Sequence, residues 1–355
     1  MTWIGKAAAV VTALLVAPTA LAASNSLRGT WTKLPSAPAA ALPATSVWTG
    51  RQLIVVGHRL TPTSVTVAES YDPSTKAWKQ LTPPAKLGAD PYCCTAVWSG
   101  REVLAFGAFV GAAYNPATNS WRPLSRSVQG GILAWTGKEA IGWGGGCCGD
   151  ARANGRAYNP ETGAFRAVAR APLAPDQSPV GAWTGHELLL FVSGSSPDGK
   201  PYAASLARGA AYNPATNRWR RLPAMPGRGG KAIWDGRELV VIGSSGNARA
   251  ALAFNPATNR WRRLASSPLS ASGGSAVWTG TRVFLWASSR GASYDPATNR
   301  WSLLPRWPLR ARSAPAVAWT GRSLLVWGGE IGTPVGTSTP PKFPVDGATF
   351  TPEVK

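Results

Sequence analysis

Short apolar runs alternate with polar, Gly- and Pro-containing turns along this chain, in stretches of strand length rather than helix length. Ser275-Ala276-Val277 and Leu324-Leu325-Val326-Trp327 are examples of such β-prone runs. Between two of them stands a tripeptide of Trp, a small or turn-forming residue, and Gly. It occurs seven times, at Trp48-Thr49-Gly50, Trp98-Ser99-Gly100, Trp135-Thr136-Gly137, Trp183-Thr184-Gly185, Trp234-Asp235-Gly236, Trp278-Thr279-Gly280 and Trp319-Thr320-Gly321. Flanked by strands, the tripeptide predicts a hairpin turn. Its copies lie about 45 residues apart, within the range that marks solenoids and propellers.

A second signature follows each of the first six hairpins. Tyr71-Asp72-Pro73, Tyr114-Asn115-Pro116, Tyr158-Asn159-Pro160, Tyr212-Asn213-Pro214, Phe254-Asn255-Pro256 and Tyr294-Asp295-Pro296 each end a strand in an Asx-Pro turn. A Thr-x-x-aromatic step then opens a fourth short strand, as from Thr75 to Trp78, Thr162 to Phe165 and Thr298 to Trp301. Four strands per repeat make the blade of a β-propeller. Seven hairpins stand against six complete third-and-fourth-strand pairs, and the leftover pieces lie at opposite ends of the chain. Phe350-Thr351-Pro352 supplies a third strand and Thr30-Trp31-Thr32-Lys33-Leu34-Pro35 an orphan fourth. The expected fold is all-β, a seven-bladed propeller of four-stranded blades whose last blade is closed by the N- and C-terminal strands, which removes the open sheet edges.

Composition narrows this further. The 39 Gly and 31 Pro suit a turn-rich β fold, and 15% charged residues exclude a coiled coil or a helix-rich enzyme. With 44% hydrophobic residues and 18 Trp, enough apolar surface is available to exclude disorder. Met1 to Ala22 has the form of an export leader: Lys6, an uncharged run from Ala7 to Ala17, Pro18, and Ala20-Leu21-Ala22 as a small-x-small cleavage site. The run is short of the ~20 residues that span a bilayer. The expected organisation is thus a signal peptide over 1–22 and one propeller domain over 23–355, secreted or in the cell envelope, not membrane-spanning, and monomeric. In an oxidising compartment Cys93, Cys94, Cys147 and Cys148 read as disulfide partners, with three pairings open. A cross-bridge between blades 2 and 3 competes with vicinal bridges, and a four-thiolate zinc site is disfavoured by the adjacent spacing.

The hairpin, the Gly doublets at Gly144-Gly145 and Gly328-Gly329, the Tyr-Asx strand and the Trp-bearing last strand resemble the kelch repeat of galactose-oxidase-type propellers, over roughly Thr30 to Pro352. The departure is the doublet, reduced elsewhere to single glycines such as Gly57, Gly107 and Gly243. The resemblance implies that fourth-to-first and second-to-third strand connections share one face around a central channel, and the hairpin and Asx-Pro turns the other. On the first face fall the variable loops His58 to Thr66, Thr82 to Tyr92, Gly144 to Asn154, Ser193 to Ser205 and Gly329 to Asp346. Glu69, Asp90, Asp150, Asp176, Asp198 and Glu330 lie in or beside them, whereas Glu102, Glu139, Glu187 and Glu238 recur after the hairpin turns. Variable loops on a rigid frame are where recognition is usually placed.

Candidate ligand contacts are Arg59, Tyr92, Asp150, Asp176, Arg228, Arg312 and Glu330. Arg228 and Arg312 precede first strands and suit an anionic ligand such as a carboxylate sugar, with a structural role as the alternative. His58 in a loop and His186 in a hairpin turn on the opposite face do not converge on a metal, and five of seven Tyr fill the Tyr-Asx-Pro slot. No cofactor, metal site or nucleophile-His-acid set is expected, and fold resemblance alone does not carry copper chemistry. Net charge is +21, and arginines recur with the repeat at Arg218, Arg220, Arg260, Arg262 and Arg300 and in the hairpin turns at Arg51, Arg101, Arg237 and Arg322. Attraction to anionic envelope polymers follows. Nucleic acid is not an expected partner, since the tryptophans are periodic core residues. The expected function is recognition of a carbohydrate or envelope ligand. The alternative is a carbohydrate-active enzyme, a mutarotase or glycoside-type catalyst using loop acids and a channel-mouth Arg.

Overall fold

The structure is a computed structural model that describes residues 26–39, 42–60, 64–84, 87, 94–128, 130–146, 150–193, 207–244, 247–272, 274–332 and 342–353. Its strands form seven antiparallel four-stranded sheets. The sheets are blades 1 to 6, over 42–81, 95–124, 132–167, 180–225, 231–263 and 275–303, and blade 7, over 316–352 with the N-terminal strand Gly29–Lys33 at its outer edge. The first strands of successive blades touch around a complete ring, blade 7 against blade 1 included. This is the seven-bladed propeller expected from the repeat.

The hairpin tripeptide works through its middle residue. The Thr49 hydroxyl accepts from the backbone N–H of Gln52 at 2.9 Å and donates to the same residue's carbonyl at 3.0 Å. Thr136, Thr184, Thr279 and Thr320 repeat both bonds, while Ser99 and Asp235 accept the corresponding N–H. The following Gly holds φ between about +89° and +98° in all seven turns, a region that side chains disfavour. In the second turn the Asx oxygen accepts from the N–H two residues on, as Asn115 does from Ala117. The residue that re-enters the fourth strand is left-handed: Asn119, Asn217, Asn259 and Asn299, or Lys76 and Gly163. Asn tolerates this conformation better than most residues.

Second and third strands are buried on both faces, because each blade packs between two others. Fourth-strand Trp side chains tie several blades to the one before. Trp219, Trp261 and Trp301 donate their indole N–H to the carbonyls of Ala169, Pro223 and Ala265. At the closure, Trp31 sits opposite Phe350 in register and donates to the Pro305 carbonyl of blade 6. Its ring packs against Trp286, Trp307 and Phe350.

Two expectations need correction. His58 is not a loop residue: the strands Leu53–Leu60 and Ser64–Asp72 run on as a long hairpin, and His58 is buried within it opposite Thr66. Glu69 likewise belongs to the second of these strands, opposite Val55, and is 1% exposed. The β-branched run Val65 to Val67 extends the pairing into the stretch that the sequence reads as a loop.

Candidate functional site

Between first and second strands every blade uses a four-residue turn, at 49–52, 99–102, 136–139, 184–187, 235–238, 279–282 and 320–323. Connections from second to third strand run instead from 288–289 to 144–154, 193–206 and 328–346. Length variation is therefore confined to one face, the face expected to carry recognition.

On that face the structure gives the predicted side chains separate tasks. Asp176 is buried and its two oxygens accept the N–H groups of Ser178 and Ser193, both at 2.8 Å. Its backbone also bonds Gly145 and Arg152, so it latches two loops to the entrance of blade 4. Arg312 is 2% exposed and donates to Asp346 Oδ1 at 2.8 Å and to the carbonyls of Gly328, Asp346 and Arg310. It also lies over the Trp307 ring at 5.4 Å. Its structural role therefore prevails over a ligand-facing one. Glu330 pairs its backbone with Ser313, Asp150 is exposed beside Arg152 at 3.3 Å, and Arg228 stands half-buried before the strand Lys231–Trp234. Arg59 lies in a strand opposite Val65. Tyr92, Asp90, Asp198, Cys93, Cys147 and Cys148 fall outside the described residues, and Cys94 is buried among Leu87, Val103, Ala105 and Ala112.

A network on the turn face joins residues that the sequence places far apart. In blades 2 to 5 the Glu that ends the hairpin turn reaches across the sheet to the Arg after the fourth-strand aromatic. These pairs are Glu102 with Arg122, Glu139 with Arg166, Glu187 with Arg220 and Glu238 with Arg262. Directly opposite each Arg stands an alanine of the third strand, Ala113, Ala157, Ala211 or Ala253, whose small side chain leaves room for the guanidinium to lie across. Arg122 and Arg166 extend to the next blade, donating to the hydroxyls of Tyr158 and Tyr212. Tyr212 in turn donates to the left-handed Asn217 at 2.7 Å. Arg220 and Arg262 are thus ion-paired at the rim, with their side chains partly exposed. The sequence signal was available in the Glu after each hairpin and the Arg after each aromatic, but only register shows that they meet.

The network lapses between blades 6 and 7. There Ser302 holds the Arg position and Phe350 the Tyr position, and Arg282 replaces the Glu and turns to Asp295 at 2.9 Å. A cleft of about 1360 Å³ opens at this seam. Trp319 and buried Phe284, 5.6 Å apart between ring centres, line it, and the N-terminal segment at Leu27 and Arg28 walls it.

No protein-family profile and no curated protein sequence matches the chain. Among solved structures, a novel fungal alcohol oxidase of the AA5 family, in complex with copper, matches with a TM-score of 0.62 and 15% identity, covering 92% of this chain and 77% of that one. Such a likeness establishes the propeller fold. No group of three or more His, Cys, Asp or Glu converges among the described residues, and buried His58 and exposed His186 stand on blades 1 and 4. The hydroxyls of Tyr114, Tyr212 and Tyr294 are engaged with Asn side chains.

Proposed function

We infer that the chain is an exported kelch-type propeller that recognises a carbohydrate or envelope component through its variable-loop face. The observation that carries this is the confinement of length variation to one face, against seven equal turns on the other. A rigid closed ring with divergent loops suits binding that needs shape rather than moving parts. Export rests on the leader-like pattern of residues 1–22 and the pairs of adjacent cysteines. No helix of the described residues is long and apolar enough to cross a membrane.

The enzyme alternative asks for two acids facing a common substrate. Asp176 spends both oxygens on backbone N–H groups, and Asp150 is exposed beside Arg152, so the loop acids favour recognition over a catalytic pair. The test is a glycan and cell-wall-polymer array on the purified protein, with every hit then incubated and analysed for products. Retention of an intact ligand is expected; chemical conversion of a hit would replace recognition by catalysis.

A further inference from the structure

The cleft between blades 6 and 7 lies on the turn face, away from the variable loops, at a seam where Ser302 and Phe350 hold the positions of the bridging Arg and Tyr. At the seams between blades 2 and 3 and between blades 3 and 4 an Arg from one blade crosses to a Tyr of the next, Arg122 to Tyr158 and Arg166 to Tyr212. Ser302 and Phe350 cannot make that link, and no guanidinium spans the seam where the cleft lies. Chain closure supplies the outer wall. Ser26 bridges Leu303, the Leu27 N–H bonds the Leu303 carbonyl, and Glu353 bonds the Arg28 carbonyl.

Charge in the cleft is asymmetric. Arg282 is satisfied by Asp295, but Arg28, Arg300 and Arg322 make no ion pair among the described residues, and Glu353 is the one further acid of the lining. The aromatic pair Phe284 and Trp319 lines the same cleft, together with Thr279, Thr281, Thr298 and Ser302. A guanidinium fork pairs with carboxylate or phosphate oxygens, an indole packs on the apolar face of a sugar ring, and hydroxyls answer sugar hydroxyls. The volume exceeds the range of about 300–1,000 Å³ common for small-molecule pockets, which favours several linked units over a monosaccharide.

We propose that this cleft is a second binding site, for an anionic oligosaccharide bearing carboxylate or phosphate groups, held by Arg28, Arg300 and Arg322 over Trp319. It is independent of the variable-loop face and would anchor the protein to an anionic polymer while leaving that face outward.

The test is calorimetric titration of the purified protein with an oligogalacturonate, a glycerol-phosphate oligomer and a neutral oligosaccharide of similar length, at low and physiological salt. At least one charged oligomer should bind, more weakly at higher salt, and the neutral one should not. Preference between the two charged oligomers identifies the oxyanion. Arg300→Gln with Arg322→Gln should weaken binding at least tenfold. A charge-matched control at the equivalent positions of blade 5, Arg260→Gln with Arg237→Gln, should weaken it less than threefold. All four residues are exposed, so folding is preserved, and thermal melting checks it. Absence of binding to both charged oligomers, equal binding of the neutral one, or equal losses in the two double variants would overturn the site. The loop-face array remains informative in each case, because its ligand does not depend on these arginines.

Discussion

Glu69 is the residue most out of keeping with its surroundings. It is buried on the blade 7 side of blade 1 beside Val55 and Tyr71, and one oxygen accepts the Ala39 N–H at 2.7 Å. The other oxygen has no partner among the described residues. Burial raises its carboxyl from the ordinary 4.5 to about 7, against a smaller lowering by the Ala39 hydrogen bond. The unfolded chain therefore releases this proton first. Stability should fall with rising pH between about 4.5 and 7, by on the order of 3 kcal/mol, and level off above. Glu69→Gln keeps the acceptor and cannot ionise, so denaturant melts from pH 4.5 to 8 should show that slope reduced in the variant. An unchanged slope would mean that Glu69 is charged in the fold. Arg312 is buried too, but its Nε and Nη1 donate to four acceptors, three backbone carbonyls and Asp346 Oδ1. Arg312→Ala should cost about 3 kcal/mol, because the carbonyls of Gly328 and Asp346 lose their donor. Arg312→Lys should rescue little, as one ammonium cannot span these acceptors and Arg310 together. Chemical denaturation of the three proteins distinguishes this from a surface charge.

At the scale of elements, hairpins and closure were legible because each depends on local chemistry. A Thr or Asp that bonds its own turn, and a Gly at positive φ, leave marks in adjacent residues. The Glu–Arg–Tyr links were not legible, since they depend on the diagonal register over Ala113, Ala157, Ala211 and Ala253 and on the neighbouring blade. His58 and Glu69 were misplaced for a related reason: strand length between second and third strands is set by pairing across the hairpin, not by a turn motif. The network makes a graded prediction. Arg166 touches Glu139, Tyr212 and Asn217, whereas Arg220 bonds Glu187 as its one acid partner. Both are partly exposed, so Arg220→Ala should cost less than about 1 kcal/mol and Arg166→Ala about 1–2 kcal/mol. Equal costs would show that the inter-blade link contributes nothing. Trp31→Ala should cost about 3 kcal/mol, since it empties a cluster of three aromatic partners and breaks the tie to Pro305. A variant as stable as the parent would mean that the ring does not need its N-terminal strand.

Over the whole molecule, the seven blades form one closed frame with two unlike faces. One carries loops of unequal length, and the other carries equal turns, Glu–Arg pairs in blades 2 to 5 and the cleft between blades 6 and 7. Architecture was recoverable from the sequence because seven hairpins and six copies of the Asx-Pro motif reinforce one another, while the cleft rests on individual residues, Ser302 and Phe350, that gain meaning against the register of the other blades. The excess of positive charge is not spread evenly over the rim, since four of the repeated arginines are matched by glutamates. The central claim is that recognition occurs at the variable-loop face. Hydrogen–deuterium exchange of the protein with and without its array ligand tests it most directly, because amide protection localises contact along the chain. Protection concentrated in 144–154, 174–178 and 328–332, with the hairpin turns 49–52 through 320–323 unchanged, is the predicted result. Protection confined to the hairpin turns, with those loops unaffected, would contradict it.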